Sequence, residues 1–146
     1  LVSTVKEDVM ALPTVHGGAV MVVDDADDIR ELICMQLRRK GYEVVEATDG
    51  QQAVELATLS PPGLILMDLS MPVMDGYEAT RRIKSLPGLS GVTIVAISAL
   101  CDPSIAHKAL EAGCVECVSK LIDFPAVDSL LERYLPSAGS QPNTIE

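Results

Sequence analysis

Five short apolar runs punctuate the chain: Ala19–Val23, Glu43–Glu46, Leu64–Met67, Val92–Ile97 and Val115–Val118. Each has the length of a strand, and helical spacing fills the gaps between them. Ile29, Leu32, Ile33 and Leu37 form one stripe that Gly41 stops, and Ala53, Val54 and Ala57 form a shorter one that Pro61-Pro62 ends. A third helix is expected from near Asp75 through Ile83 to Leu86, before Pro87-Gly88. Ile105, Ala109 and Ala112 mark a fourth, closed by Gly113, and Phe124, Val127, Leu130, Leu131 and Tyr134 mark a fifth. Strands separated by helices of this length pair in parallel through right-handed crossovers. Several of the runs are apolar throughout rather than alternating, as expected when both faces of a sheet are covered. The pattern predicts a three-layer α/β domain over residues 19–135. Residues 1–18 show no sustained period and read as a leader or linker, and residues 136–146, rich in Ser, Pro, Gly and Asn, read as a flexible tail.

Composition narrows the function. The formal net charge is −10, from 11 basic and 21 acidic side chains. Such a surface repels phosphate backbones, so direct nucleic-acid binding is not expected. The apolar runs fall far short of the ~20 residues that cross a bilayer, and the first ten residues lack a signal-peptide core. A cytoplasmic location follows as the expectation. Of the four cysteines, Cys114 and Cys117 have the spacing of half a zinc site or of a redox pair. A zinc site would need two further ligands, and a redox pair is ordinarily placed at a helix start. Free thiols, buried or half-buried, are the expectation for Cys34, Cys101, Cys114 and Cys117.

In open parallel sheets the ligand site lies beyond the carboxyl ends of the strands. There the chain places Asp24-Asp25 after the first strand, Asp68 after the third, Ser98 after the fourth and Ser119-Lys120 after the fifth. The second strand offers only Ala47 and Thr48. Three carboxylates on one edge repel one another unless a cation joins them, and a hard divalent ion suits oxygen ligands. Asp27 and Asp28 are better placed to complement the dipole of the first helix and are given no site role.

These residues resemble a known family. The segment Asp68-Leu69-Ser70-Met71-Pro72-Val73-Met74-Asp75-Gly76 is similar to the phosphoacceptor loop of response-regulator receiver domains. So are Val22-Val23-Asp24-Asp25, Ile97-Ser98-Ala99, and Glu111-Ala112-Gly113 leading to Ser119-Lys120; the likeness runs from Ala19 to Tyr134. It implies a doubly wound, flavodoxin-like fold with a five-stranded parallel sheet and five helices. It implies Asp68 as phosphoacceptor, taking a phosphoryl group from a sensor histidine kinase or a histidine phosphotransfer protein. Mg²⁺ (or Mn²⁺) would be ligated by Asp25, Asp68 and the Ser70 carbonyl, with Asp24 acting through a water. Lys120, the Ser98 hydroxyl and the Ala99 N–H would face the phosphoryl group. The output surface would be the fourth helix, fifth strand and fifth helix, facing an output domain or protein, with a phosphorylation-dependent homodimer as a further partner. The domain would be a signalling switch rather than a turnover enzyme. Asp75 would cap the third helix, and Gly76 would give room at its first turn.

Two positions depart from the family pattern. Cys117 stands where an aromatic ring is usual, three residues before the lysine, and Leu121 stands where proline usually follows it. The usual coupling of hydroxyl to ring is therefore not expected, and with 3% aromatics no other ring is an evident substitute. Small Ser70 leaves the acyl phosphate open to water, which implies fairly quick dephosphorylation. Two other readings stay open at this level. One is a haloacid-dehalogenase-type phosphatase, although its second Asp is replaced by Ser70; the other is a receiver used for binding alone. The start at Leu1 fits an excised part of a hybrid kinase or of a longer regulator.

Overall fold

The structure, a computed structural model, describes residues 18–120 and 124–135. The leader and tail readings, and the Leu121 position, lie outside the described residues. Five strands, β1 (Val20–Val23), β2 (Val44–Ala47), β3 (Leu64–Asp68), β4 (Thr93–Ser98) and β5 (Glu116–Ser119), form one sheet. They alternate with helices α1 (Asp27–Arg39), α2 (Gly50–Leu59), α3 (Gly76–Ser85), α4 (Pro103–Ala112) and α5 (Phe124–Tyr134). All strand pairs are parallel, in the order β2-β1-β3-β4-β5. The fold is the three-layer α/β arrangement expected from the pattern of runs, doubly wound as the resemblance implies.

Alternation along each strand divides the core in two. Val20, Val22, Leu64, Leu66, Val95 and Ile97 pack with Ile33, Cys34 and Leu37 of α1 and with Val127, Leu130 and Leu131 of α5. Met21, Val23, Ile65, Met67, Ile94 and Ala96 meet Ala53, Ala57, Ala79, Ile83 and Ala109, contributed by α2, α3 and α4. The small alanines on that second face let three helices lie close to one sheet. The chain leaves β1 toward β2 on one side and returns to β3 on the other, so the strand order reverses between β1 and β3. That switch point is where such sheets hold a ligand.

Three helices begin on an aspartate. Asp49, Asp75 and Asp102 accept N–H bonds from Gln52, Glu78 and Ile105 at 2.8, 2.9 and 2.9 Å, which satisfies helix-start donors. α1 has Ala26 at that place with no side-chain cap, and carries Asp27 and Asp28 in its first turn instead.

Local details depart from the sequence reading. β2, β4 and β5 each lie one residue later than their apolar runs, and β3 includes Asp68. Ladder bonding belongs to the backbone, so it runs past the last apolar residue; Asp68 pairs in register with Ile97, and Ser98 with Ser119. Val92 instead closes a turn, its N–H donating to Leu89 O at 3.1 Å. The buried stripe of α1 is Arg30, Ile33, Cys34 and Leu37, with Gln36 beside it, whereas Leu32 is 50% exposed. The true phase therefore places a charged residue in the apolar stripe.

The loop from β3 to α3 is tightly built. The Leu69 N–H donates to Ile97 O, and the Gly76 N–H donates to Leu69 O, both at 3.1 Å. A Cβ on Gly76 would collide with the Asp68 carbonyl oxygen and stand 2.8 Å from Leu69 Cα. The glycine is thus required by the backbone of the phosphoacceptor candidate itself, not only by the first turn of α3. Val73 has φ +68°, and the Met74 N–H donates back to Pro72 O at 2.7 Å. An i to i+2 bond around a positive φ is the rare γ-turn, and for a β-branched residue it is strained.

Two substitutions test this loop by chemical denaturation. Gly76→Ala is expected to cost about 3 kcal/mol by forced overlap. Val73→Gly is expected to stabilise by about 1 kcal/mol, because the strain released exceeds the added chain entropy. A Val73→Gly midpoint at or below wild type would contradict the strain.

Candidate functional site

The carboxyl ends of β1, β3, β4 and β5 bring the predicted residues to one edge. One oxygen from each of Asp24, Asp25 and Asp68 lies within 4.8 Å of the others. Asp68 is 1% exposed and Asp24 2%, while Asp25 faces solvent. Lys120, directly after β5, reaches in and places Nζ 3.2 Å from Asp68 Oδ2 and 3.4 Å from Asp24 Oδ1. Backbone donors hold the two buried acids. The Ser70 N–H donates to Asp68 Oδ1 at 3.1 Å, and the Ala26 N–H to Asp24 Oδ1 at 2.8 Å.

Burial pushes the Asp68 carboxyl up to about 6. The Ser70 N–H pulls it back, the charge of Asp24 raises it further, and Lys120 opposes both upward effects. For Lys120, burial works against the ammonium, but the charges of Asp68 and Asp24 outweigh it and its pKa is raised. Three carboxylates facing one ammonium leave the cluster negative when all are ionised. An all-oxygen donor set with surplus negative charge fits a hard divalent cation.

Ser98 ends β4 with its hydroxyl turned to its own loop, donating to Leu100 O at 3.0 Å and accepting from Leu100 N at 3.3 Å. The Lys120 N–H donates to Ser98 O at 2.7 Å, which fixes the lysine and serine backbones to one rung. Ala99 follows on the exposed surface, and Ser70 is exposed beside Asp68. Asp27 and Asp28 remain outside the acidic cluster, as expected.

Three features escaped the sequence. Arg30, buried in α1, donates through Nη1 to Asp24 O at 2.8 Å, through Nη2 to Asp27 Oδ1 at 2.7 Å and through Nε to Glu46 Oε1 at 3.0 Å. It clamps the turn that carries the acidic pair; its signal was a cation at i of an i, i+3, i+4, i+7 apolar stripe. Tyr77 lines a cleft of about 470 Å³ together with Ser70, Ser98, Ile105 and Lys108. A ring therefore does stand near the site, supplied by α3 rather than β5. The third is a cysteine pairing. Cys114 is buried against Thr80, whose Oγ1 is 3.7 Å from its Sγ, whereas Cys117 faces Cys101. All four thiols are free, and Cys34 and Cys114 are fully buried. Among the described residues no helix is long and apolar enough to cross a membrane.

Comparison with known proteins agrees with this geometry. The chain is 35% identical over 135 residues to the transcriptional regulatory protein PdtaR of Mycobacterium tuberculosis, covering 86% of this chain and 64% of that protein. Its fold matches the receiver domain of a sensor histidine kinase of Pseudomonas aeruginosa PAO1, solved with a magnesium ion coordinated in the active site cleft. That match has TM-score 0.75 and 32% identity and covers 85% of this chain and 99% of the other. It also matches a co-crystal structure from Saccharomyces cerevisiae of a histidine phosphotransfer signaling protein with the receiver domain of its downstream response regulator. There the TM-score is 0.75 and the identity 27%, covering 80% of this chain and 87% of that one. The family model for the response regulator receiver domain matches residues 20–132. With its sheet order, its acidic edge and this match over most of its length, the chain belongs to the response regulator receiver domains of two-component signalling.

Proposed function

We propose that Asp68 is the phosphoacceptor of this receiver and that the surrounding residues assist the transfer to it. The observation that carries the reading is a buried carboxylate at the switch point, 3.2 Å from a lysine Nζ and grouped with two further acids. An Asp68 oxygen attacks the phosphorus of a phosphohistidine, the P–N bond breaks, and the imidazole nitrogen leaves with the electron pair. Such transfer passes through a loose transition state in which catalysis is mainly positioning and charge neutralisation. Lys120 neutralises a phosphoryl oxygen as a point charge. The Ser98 hydroxyl leaves Leu100 to donate to another, and the Ala99 N–H lies next in the chain to assist.

Asp25, Asp68 and the Ser70 carbonyl would hold Mg²⁺, with Asp24 acting through a water; Mn²⁺ has the same oxygen preference. When bound, the ion supplies positive charge that offsets the crowding of carboxylates and incoming phosphate. Arg30 keeps the Asp24-Asp25 turn in place through Asp24 O. The phosphodonor is a sensor histidine kinase or a histidine phosphotransfer protein, the class of partner in the yeast complex above. The phosphoryl group adds about −1.5 to −2 of charge, which draws Ser98 and Lys120 and shifts the α4–β5–α5 face. Leu110 and Val115 are exposed there, available to an output protein or to a second copy. The domain is a signalling switch that assists its own phosphorylation and dephosphorylation, and open access at Ser70 favours quick loss of the group.

Acetyl phosphate with Mg²⁺ is expected to add one phosphoryl group to wild type, read by intact mass, and none to Asp68→Asn. Equal labelling of the variant would remove Asp68 from its role. Metal binding should depend on pH with a defined sign. Protons and metal compete for Asp68, whose carboxyl titrates at about 6, so affinity is kept above that value and lost below it. Calorimetric titration with Mg²⁺ should weaken about tenfold between roughly pH 7.5 and 5. A flat profile would place the metal away from Asp68.

A further inference from the structure

Two thiols that the phosphoryl chemistry does not use face each other beside the site. Cys101 lies three residues beyond Ser98 in the loop between β4 and α4, and Cys117 lies on β5, in register with Ala96 of β4. Their Sγ atoms are 2.6 Å apart, closer than unbonded sulfurs ordinarily come. Cys101 Sγ also lies 4.0 Å from Ser98 O, donating to it, so its side chain is turned inward to the strand ends. Both residues are half-buried, within reach of a small reagent, unlike Cys34 and Cys114, which the core encloses. A bond at about 2.05 Å needs the two sulfurs to close by only about half an ångström.

We propose that Cys101 and Cys117 form a reversible intramolecular disulfide that gates this receiver by fixing the β4–α4 loop. Hydrogen peroxide is the oxidant. The Cys101 thiolate attacks one peroxide oxygen, the O–O bond breaks, and a sulfenic acid and water result. Cys117 Sγ then attacks the sulfenic sulfur, the S–O bond breaks, and the hydroxyl leaves with the Cys117 proton as a second water. Two thiols give up two electrons and two protons, and the peroxide takes both. A dithiol reductant reverses the step by exchange. Burial and the neighbouring Cys101 thiol push the Cys117 thiol up, which suits it to the second, resolving step; the bond formed is the same whichever thiol leads.

The gating follows from where the bond falls. In the present arrangement the Ser98 hydroxyl is held by both backbone groups of Leu100. It must leave them to meet a phosphoryl group on Asp68. A disulfide at Cys101, the residue after Leu100, anchors the loop to β5 three residues before Lys120. This consequence rests on the phosphoacceptor role of Asp68; formation of the bond does not.

The full chain is treated with hydrogen peroxide, and peptides are mapped without reduction. Oxidation should lower the intact mass by about 2 Da and leave two of the four thiols free. It should also join tryptic peptides 85–108 and 109–120, with fragmentation placing the link at Cys117. Cys101→Ser and Cys117→Ser should each abolish the link. Four remaining thiols, a link to Cys114, or links only between molecules would overturn the site. Beryllofluoride with Mg²⁺ is then titrated into both forms. At least tenfold weaker binding by the oxidised protein, restored by dithiothreitol and absent in peroxide-treated Cys117→Ser, supports the gate. Equal binding by the two forms overturns it. If neither form responds while the link is present, the phosphoacceptor reading fails together with the gate and the disulfide stands.

Discussion

A carboxylate is held at the centre of the sheet edge with 1% of its surface exposed, and one ammonium group reaches it. Burying an ionised acid is costly unless it is paired and hydrogen-bonded. Here the pairing is partial by design of the local chemistry. Lys120 and the Ser70 N–H favour the charge, whereas burial and Asp24 oppose it more strongly. The site is therefore left with an electrostatic deficit that a cation and a phosphoryl group can fill. Every surrounding element serves that condition: β3 delivers the acid, β1 its neighbours, β5 the lysine, and Arg30 the turn that keeps Asp24 in range.

The fold was readable because three strands are buried on both faces and so appear as unbroken apolar runs. The acidic edge was readable because strand ends in a parallel sheet converge, which lets residues far apart in sequence be placed together. Other features lay beyond that reasoning. Leu32 drew the helical phase of α1 by one position, since an apolar side chain on a solvent face looks like core in a linear pattern. Arg30 received no role in that reading, because its bonds to Asp24, Asp27 and Glu46 arise only in the folded chain. Strand ends shifted by one residue because hydropathy does not register backbone pairing.

The cysteines show the same limit in sharper form. Proximity in sequence joined Cys114 to Cys117, but the two do different things. Cys114 closes against Thr80 on α3. Cys117 takes its neighbour, Cys101, from the loop that follows β4, sixteen residues earlier in the chain. Tyr77 likewise reaches the cleft from α3, a placement set by the tight loop around Gly76 rather than by any local signal.

The rung that joins Lys120 N to Ser98 O ties two chemical groups to a single mechanical coordinate. A serine that swings and a lysine that reaches are not independent levers, because their backbones share one bond at the rim of the sheet. Any force that lifts the end of β5 is felt at β4, and the reverse holds equally. Partners docked on either strand end would thus sense the same event, without a separate relay for each.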